Sequence, residues 1–175
     1  MSLPIIKKLV RIYCGQGLVQ IKKRDIKMEK MIRKQFTKEL ESIKKRILAL
    51  GALVEERVQM AIKAIDTNDS DLAQQIIKTD YEIDETEVEI EEECLKVLAL
   101  HQPMAIDLRF IVSSLKINND LERIGDIAQN IAKRAAALAA LPPYRAPFDL
   151  HGMTRRTQDM LSQAIQSLVE MSAED

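Results

Sequence analysis

Two pairs of carboxylates stand four residues apart, Asp80 with Asp84 in "TDYEID" and Glu122 with Asp126 in "DLERIGD". On a helix, residues at that spacing project from one face, one turn from each other. Exposed like charges placed this way repel by about 0.2–0.5 kcal/mol. A cation between them would turn the repulsion into binding. Carboxylate oxygens suit hard or borderline ions such as magnesium, calcium, manganese or iron. Pro103 gives the pairs a common landmark. Asp80 and Asp84 lie 23 and 19 residues before it, and Glu122 and Asp126 lie 19 and 23 after it. If the flanking segments are antiparallel helices, the four carboxylates share one height. The alternative is a solvated acidic face, because nine of the fourteen residues from Asp80 to Glu93 are acidic.

Other polar residues fall near these pairs. Arg109 and Arg123 are suited to ion pairing with Asp80, Asp84 or neighbouring acids. Asn119 and Asn130 flank Glu122 and Asp126 and could add amide oxygens. Gly125 in a helix costs about 1 kcal/mol against Ala. A close helix approach, or room for an ion, would explain it. The two histidines, His101 and His151, have no pairing partner in sequence and are expected at the surface or at caps. The Glu-x-x-His pairs of bundle metalloenzymes do not occur. Neither does a Gly-rich phosphate loop or a nucleophile–base arrangement. Nothing in the motifs supports nucleophilic or hydrolytic catalysis, and a non-enzyme is expected.

The elements that must position these residues are helices. Phe36, Leu40, Ile43, Ile47, Leu50, Val54, Val58, Ala61 and Ile65 step by three and four, which predicts a first amphipathic helix. It ends at "DTNDSD", residues 66–71, where Asn, Asp and Ser favour a turn and offer an N-cap. A second helix is predicted from about Asp71 to Gln102, burying Leu72, Ile76, Ile83, Ile90, Cys94 and Val97. Pro103 breaks that pattern and suits the first turn of a third helix running to Leu141. The third seam comprises Leu108, Ile111, Leu115, Leu121, Ile124, Ala128, Ile131, Ala135 and Leu138. "PPYRAP", residues 142–147, is a stiff linker. A fourth helix follows from about Leu150 to Ser172, with Met153, Thr157, Met160, Ala164, Leu168 and Met171 on one face, widened by Leu161 and Ile165. That face must pack on the first three helices, pair with another chain, or remain exposed.

Composition agrees with this plan. The chain has 175 residues, 46% apolar and 30% charged, with 3% aromatic, no Trp, and five each of Gly and Pro. Such a make-up favours a helical bundle over a β-sandwich or a stacking-based nucleic-acid binder. The net charge of −1 is unevenly spread. Residues 1–27 carry Lys7, Lys8, Arg11, Lys22, Lys23, Arg24 and Lys27 against Asp25. Residues 1–31 thus form a basic extension, expected to be flexible or to touch anionic lipid or an acidic partner. Uniform basicity is absent, so nucleic acid is not an expected partner. Cys14 and Cys94 have no CxxC spacing, and Cys94 suits a small core position. A reducing, cytoplasmic compartment is expected. No apolar run reaches about 18 residues, the length of a membrane span.

At residues 101–135 the sequence, "HQPMAIDLRFIVSSLKINNDLERIGDIAQNIAKRA", closely resembles the central signature of the PhoU family. "FTKELESIKKRILALGALVEERVQMAIKAI" resembles that family's first helix, and "DSDLAQQIIKTDYEID" the start of its second. The resemblance covers about residues 32–135 well and 148–173 loosely. It implies an all-α fold: an up-down three-helix bundle repeat over 32–141, with a fourth helix over 148–175 beginning a second repeat. It also implies a multinuclear metal cluster on Glu/Asp-x-x-x-Asp motifs, matched here by Asp80, Asp84, Glu122 and Asp126. Iron, zinc, manganese, magnesium and nickel are not distinguished. The resemblance further implies a negative regulator of phosphate uptake. Its expected partners are a phosphate ABC transporter and a sensor histidine kinase, with membrane association through them and homo-oligomer formation. The second repeat's metal site is expected to be missing.

Three functional classes remain open on these residues. The first is a metal-loaded interaction protein. The second is a carboxylate-bridged iron or manganese enzyme, disfavoured by the missing Glu-x-x-His pairs. The third is a plain helical oligomerisation module with surface acids.

Overall fold

The structure is a computed structural model describing residues 3–142 and 148–170; for residues 3–25 it describes the backbone alone. It contains five helices among the described residues: α1 (Leu3–Thr67), α2 (Ser70–Lys78), α3 (Tyr81–His101), α4 (Ala105–Ala139) and α5 (Leu150–Glu170). The chain divides into two compact units, Met1–Glu39 and Leu40–Asp175. The linker predicted at 142–147 lies almost wholly outside the described residues.

The first unit is helical from Leu3, well before the periodicity that begins at Phe36. Its Lys, Arg, Met, Leu and Gln content explains this, because these side chains lose little freedom in a helix. Leu40–Thr67 begins the second unit and supplies the first wall of the bundle. Ile43, Ile47, Leu50, Val54 and Ala61 are fully buried, as their spacing predicts. Arg57 is also buried, at a seam position for which Val58, half-buried, was the expected residue.

The turn after α1 follows its local chemistry. Asn68 takes the left-handed conformation at φ 54°. Asp69 caps α2, its carboxylate accepting the Leu72 amide at 2.9 Å. Such a cap contributes about 1 kcal/mol.

The single second helix expected over 71–102 is interrupted. Thr79 closes α2, with its hydroxyl donating to the Gln75 carbonyl at 3.0 Å. The amides of Glu82 and Ile83 then bond three residues back, to Thr79 and Asp80. A Thr hydroxyl that bonds to the preceding turn competes with the helix ladder and bends it. The seam expected there survives the bend: Ile76, Ile83, Ile90, Cys94 and Val97 are all buried.

Between α3 and α4 the chain reverses through Gln102 at φ 46° and Ala105 at φ 51°. Pro103 lies within this turn, not in the first turn of α4. The buried stripe of α4 is Ile111, Ser114, Asn118, Leu121, Gly125, Ala128, Ala132 and Ala135. Leu108 and Leu138, placed in the seam by hydrophobicity, are exposed. Small and polar residues took positions that a hydrophobic count assigns to larger neighbours, because α3 and α4 approach closely.

That approach is visible at one contact. A Cβ on Gly125 would lie 2.9 Å from Cδ1 and 3.1 Å from Cγ2 of Ile83. Further along, Asn118 Nδ2 donates to the Glu87 carbonyl at 2.8 Å. These contacts make α3 and α4 antiparallel. Arg46 bonding Glu89 at 2.7 Å and Glu93 at 2.9 Å, and Arg57 bonding Glu82, do the same for α1 and α3. The end of the bundle beyond the α2–α3 bend is packed by alanines, Ala61, Ala64, Ala73, Ala128, Ala132 and Ala135, around Ile76.

The fourth helix of the plan, α5, packs antiparallel on α1. His151 Nε2 meets Asp66 Oδ2 at 2.9 Å, and Gln158 donates to the Glu55 carbonyl at 3.3 Å. Ile165 fills the notch at Gly51, where a Cβ would collide with its Cδ1. The buried residues are Ile165 and Leu168, whereas Met153 and Met160 of the expected face are exposed. The notch and the two polar anchors turn the helix to present Ile165; Met171 lies outside the described residues. The fold is therefore all-α, an up-down three-helix repeat followed by a further helix.

Val at position 125 has no space beside Ile83. Gly125→Val should lower the free energy of urea unfolding by about 1–3 kcal/mol. Ile83→Ala should cost about 2–5 kcal/mol through the cavity it leaves. A loss under about 0.5 kcal/mol in both would contradict the packing described.

Candidate metal centre

The acidic pairs stand at one level because Ile83 and Gly125 are partners. Ile83 lies between Asp80 and Asp84 in sequence, and Gly125 lies between Glu122 and Asp126. Locking the first against the second puts both pairs at one level, as counting from Pro103 predicts. Asp80 enters the group from the bend before α3, and Asp84 from its first turn.

The charges of the two helices act on one another. Burial pushes the Asp80 carboxyl above its ordinary range, and the charges of Asp84 and Asp126 add to the rise. Lys133 and Arg57 pull it the other way. Glu122 is raised by burial first, then by Asp126, Asp84, Glu87 and Asp80. Glu87 is raised by burial, then by Glu91 and Asp84. Each helix therefore feels the carboxylates of the other. Glu87 joins the group as a fifth acid, and its Oε1 accepts from Asn118 Nδ2 at 3.3 Å.

The expected supporting residues are distributed differently. Arg109, Arg123, Asn119 and Asn130 are all exposed. Among the described residues, no ion pair joins Arg109 or Arg123 to Asp80 or Asp84; these arginines leave α4 on its solvent side. The nearby cations are Arg57 from α1 and Lys133 from α4. Arg57 is 7% exposed and pairs with Glu82, while its Nε has no partner. The amide reaching the acidic helix is that of Asn118, one residue from Asn119 and on the buried side. Its Oδ1 and the Ser114 hydroxyl, one turn away, are buried without partners. The sequence did carry a signal for Arg57 and Asn118. Both interrupt an otherwise apolar stripe at seam spacing, where polarity needs a reason.

The donor types suit a hard or borderline cation, since Asp80, Asp84, Glu122 and Asp126 are carboxylates from two helices that raise one another's charge cost, with Arg57 and Lys133 as the opposing cations at Asp80. Among the described residues, however, no three His, Cys, Asp or Glu side chains converge closely enough to hold one. Binding therefore requires the side chains to turn inward from these backbone positions. Of the cysteines, Cys94 is buried and free, and burial pushes its thiol up to about 11. It belongs to the core, as expected. Cys14 lies where side chains are not described.

A PhoU domain model matches residues 47–135, just over half of the chain. The chain belongs to the PhoU family. Among PhoU relatives, it is 39% identical to a phosphate-specific transport system accessory protein PhoU homolog of Aquifex aeolicus, over 76% of this chain and 60% of that protein. It is 33% identical to the Escherichia coli accessory protein PhoU, over 86% of this chain and 62% of that one. The crystal structure of PhoU from Pseudomonas aeruginosa superposes with a TM-score of 0.70 and 38% identity, covering 77% of this chain and 65% of that one. The phosphate transport system regulatory protein PhoU from Streptococcus pneumoniae gives a TM-score of 0.69 at 34% identity, over 75% and 62% of the two chains. The chain spans about 60% of the length of these curated relatives.

The raised acids set a pH dependence for the metal-free protein. Folding holds Asp80, Glu87 and Glu122 in surroundings that disfavour their charge. Their contribution to stability is greatest at low pH and is lost as pH rises through their raised values. With a chelator present, Glu122→Gln should raise Tm at about pH 7, and by less at about pH 5, because acidification protonates the raised carboxyl of the wild type more readily than a free one. A Tm for Glu122→Gln at or below that of the wild type at both values would count against the repulsion.

Proposed function

We propose that this PhoU-family chain regulates phosphate uptake by binding, with the acidic centre between α3 and α4 as its metal-dependent element. The observation that supports this reading is that the Ile83–Gly125 contact sets Asp80 and Asp84 level with Glu122 and Asp126, whose charges act on one another. A cation or multinuclear cluster would be held by these four carboxylates, with Glu87 in reach, and would supply the positive charge that their mutual repulsion lacks. Arg57 and Lys133 moderate that repulsion from two sides. Asn118 fixes Glu87 and the height of α3.

The names of the relatives support the regulatory role, each being a phosphate-specific transport accessory protein. On this reading the partners are a phosphate ABC transporter and a sensor histidine kinase. The chain would keep phosphate-starvation genes off when phosphate is plentiful. It would act in the cytoplasm, and no helix among the described residues is long and apolar enough to cross a membrane. The chemistry is recognition, not turnover. No His joins the acidic group, which sets it apart from the Glu-x-x-His centres of bundle oxidases.

Asp84→Ala and Asp126→Ala should each strip metal from the purified protein, measured by elemental analysis. Full metal content in both variants would defeat the assignment. Metal-dependent capture of the transporter's nucleotide-binding subunit or of the kinase should fall with the same substitutions. Turnover that appears with iron or manganese and disappears in Asp126→Ala would favour an enzyme instead.

A further inference from the structure

Helix α1 has a second two-faced stretch, in the unit that the acidic centre does not use. Over residues 26–39 all side chains but Phe36 and Glu39 are exposed. At 100° per residue, Lys27, Lys30, Arg33, Lys34 and Lys38 gather on one side of this helix. Met28 and Ile32 fall on the other, with relative exposures of 50% and 51%, while Met31, 65% exposed, borders the cationic side. Ile26 falls on the cationic side. Charge in the chain is divided between its parts, because the first 39 residues are strongly basic while the remainder is acidic.

We propose that the helix over residues 26–39 is a docking face for an anionic lipid surface. A helix with a cationic face and an opposed apolar strip lies in the plane of a bilayer, apolar residues at the acyl boundary and cations among the headgroups. Each Lys or Arg near such a surface adds attraction that salt screens. Fourteen residues give a length of about 20 Å, enough to lie along the surface. No described helix suits insertion across the bilayer.

A second copy of the chain is a poorer occupant. The seam that a paired helix would use runs through Met28, Ile32, Gln35 and Glu39. Gln35 donates to Glu39 at 2.8 Å on that side. Residues 26–39 carry five cations against Glu29 and Glu39, so a paired copy would add like-charge repulsion where an anionic surface supplies attraction. The assignment is independent of the metal centre, and its failure would leave that centre untouched.

The test is cosedimentation of the full chain with vesicles of phosphatidylcholine containing about 30% phosphatidylserine. Binding to these and not to pure phosphatidylcholine is expected, weakening as salt rises. Lys30→Glu with Lys34→Glu should weaken it by about tenfold or more. Met28→Asp with Ile32→Asp should do likewise, with helicity retained by circular dichroism. Absence of binding to the anionic vesicles overturns the proposal. So does binding that survives either double substitution, or equal binding to neutral vesicles. An oligomer that Met28→Asp with Ile32→Asp dissociates, without vesicle binding, would assign the face to a second copy and also overturn it.

Discussion

Ile83 rests on Gly125, and the height of every acidic residue in the centre follows from that contact. A side chain at position 125 would force α3 away from α4, because Cδ1 and Cγ2 of Ile83 already occupy the space. Gly in a helix interior costs about 1 kcal/mol in propensity. Here the cost is offset by close packing, and the close packing brings like charges from two helices together. Asn118 bonding the Glu87 main chain at 2.8 Å repeats the constraint two turns nearer the start of α4.

Packing and electrostatics oppose each other at this place. Apolar burial along α1, α3 and α4 draws the helices in, while Asp80, Asp84, Glu87, Glu122 and Asp126 resist being drawn together. The bundle tolerates the conflict because the seam on either side of it is fully buried, from Ile90, Cys94 and Val97 at one end to Ala128, Ala132 and Ala135 at the other. A plain structural bundle gains nothing from such an arrangement. On the proposed reading, a cation bound there would relieve that repulsion.

The helix α5 shows the same logic without charge. Gly51 opens a notch on α1, and Ile165 enters it. His151 and Gln158 add polar anchors along the same line. The result covers one side of α1 while Met153 and Met160 remain exposed.

Hydrophobic spacing determined the helical class and the seam of α1 from Ile43 to Ala61, and the Asn, Asp and Ser of residues 66–71 determined the turn after it. Counting outward from Pro103 was enough to put Asp80 and Asp84 level with Glu122 and Asp126, because two antiparallel helices rise equally per residue. Tertiary structure decided what periodicity cannot weigh. Leu108 and Leu138 are exposed while Ser114, Asn118 and Gly125 are buried, since the distance between two backbones, not hydrophobicity, selected the inward side of α4. Arg109, Arg123, Asn119 and Asn130 turned outward for the same reason, and Arg57 turned inward. The break at Thr79 and the rotation of α5 toward Gly51 also depended on contacts between segments remote in sequence. A local pattern states which residues share a face; only the neighbouring helix decides which face is inside.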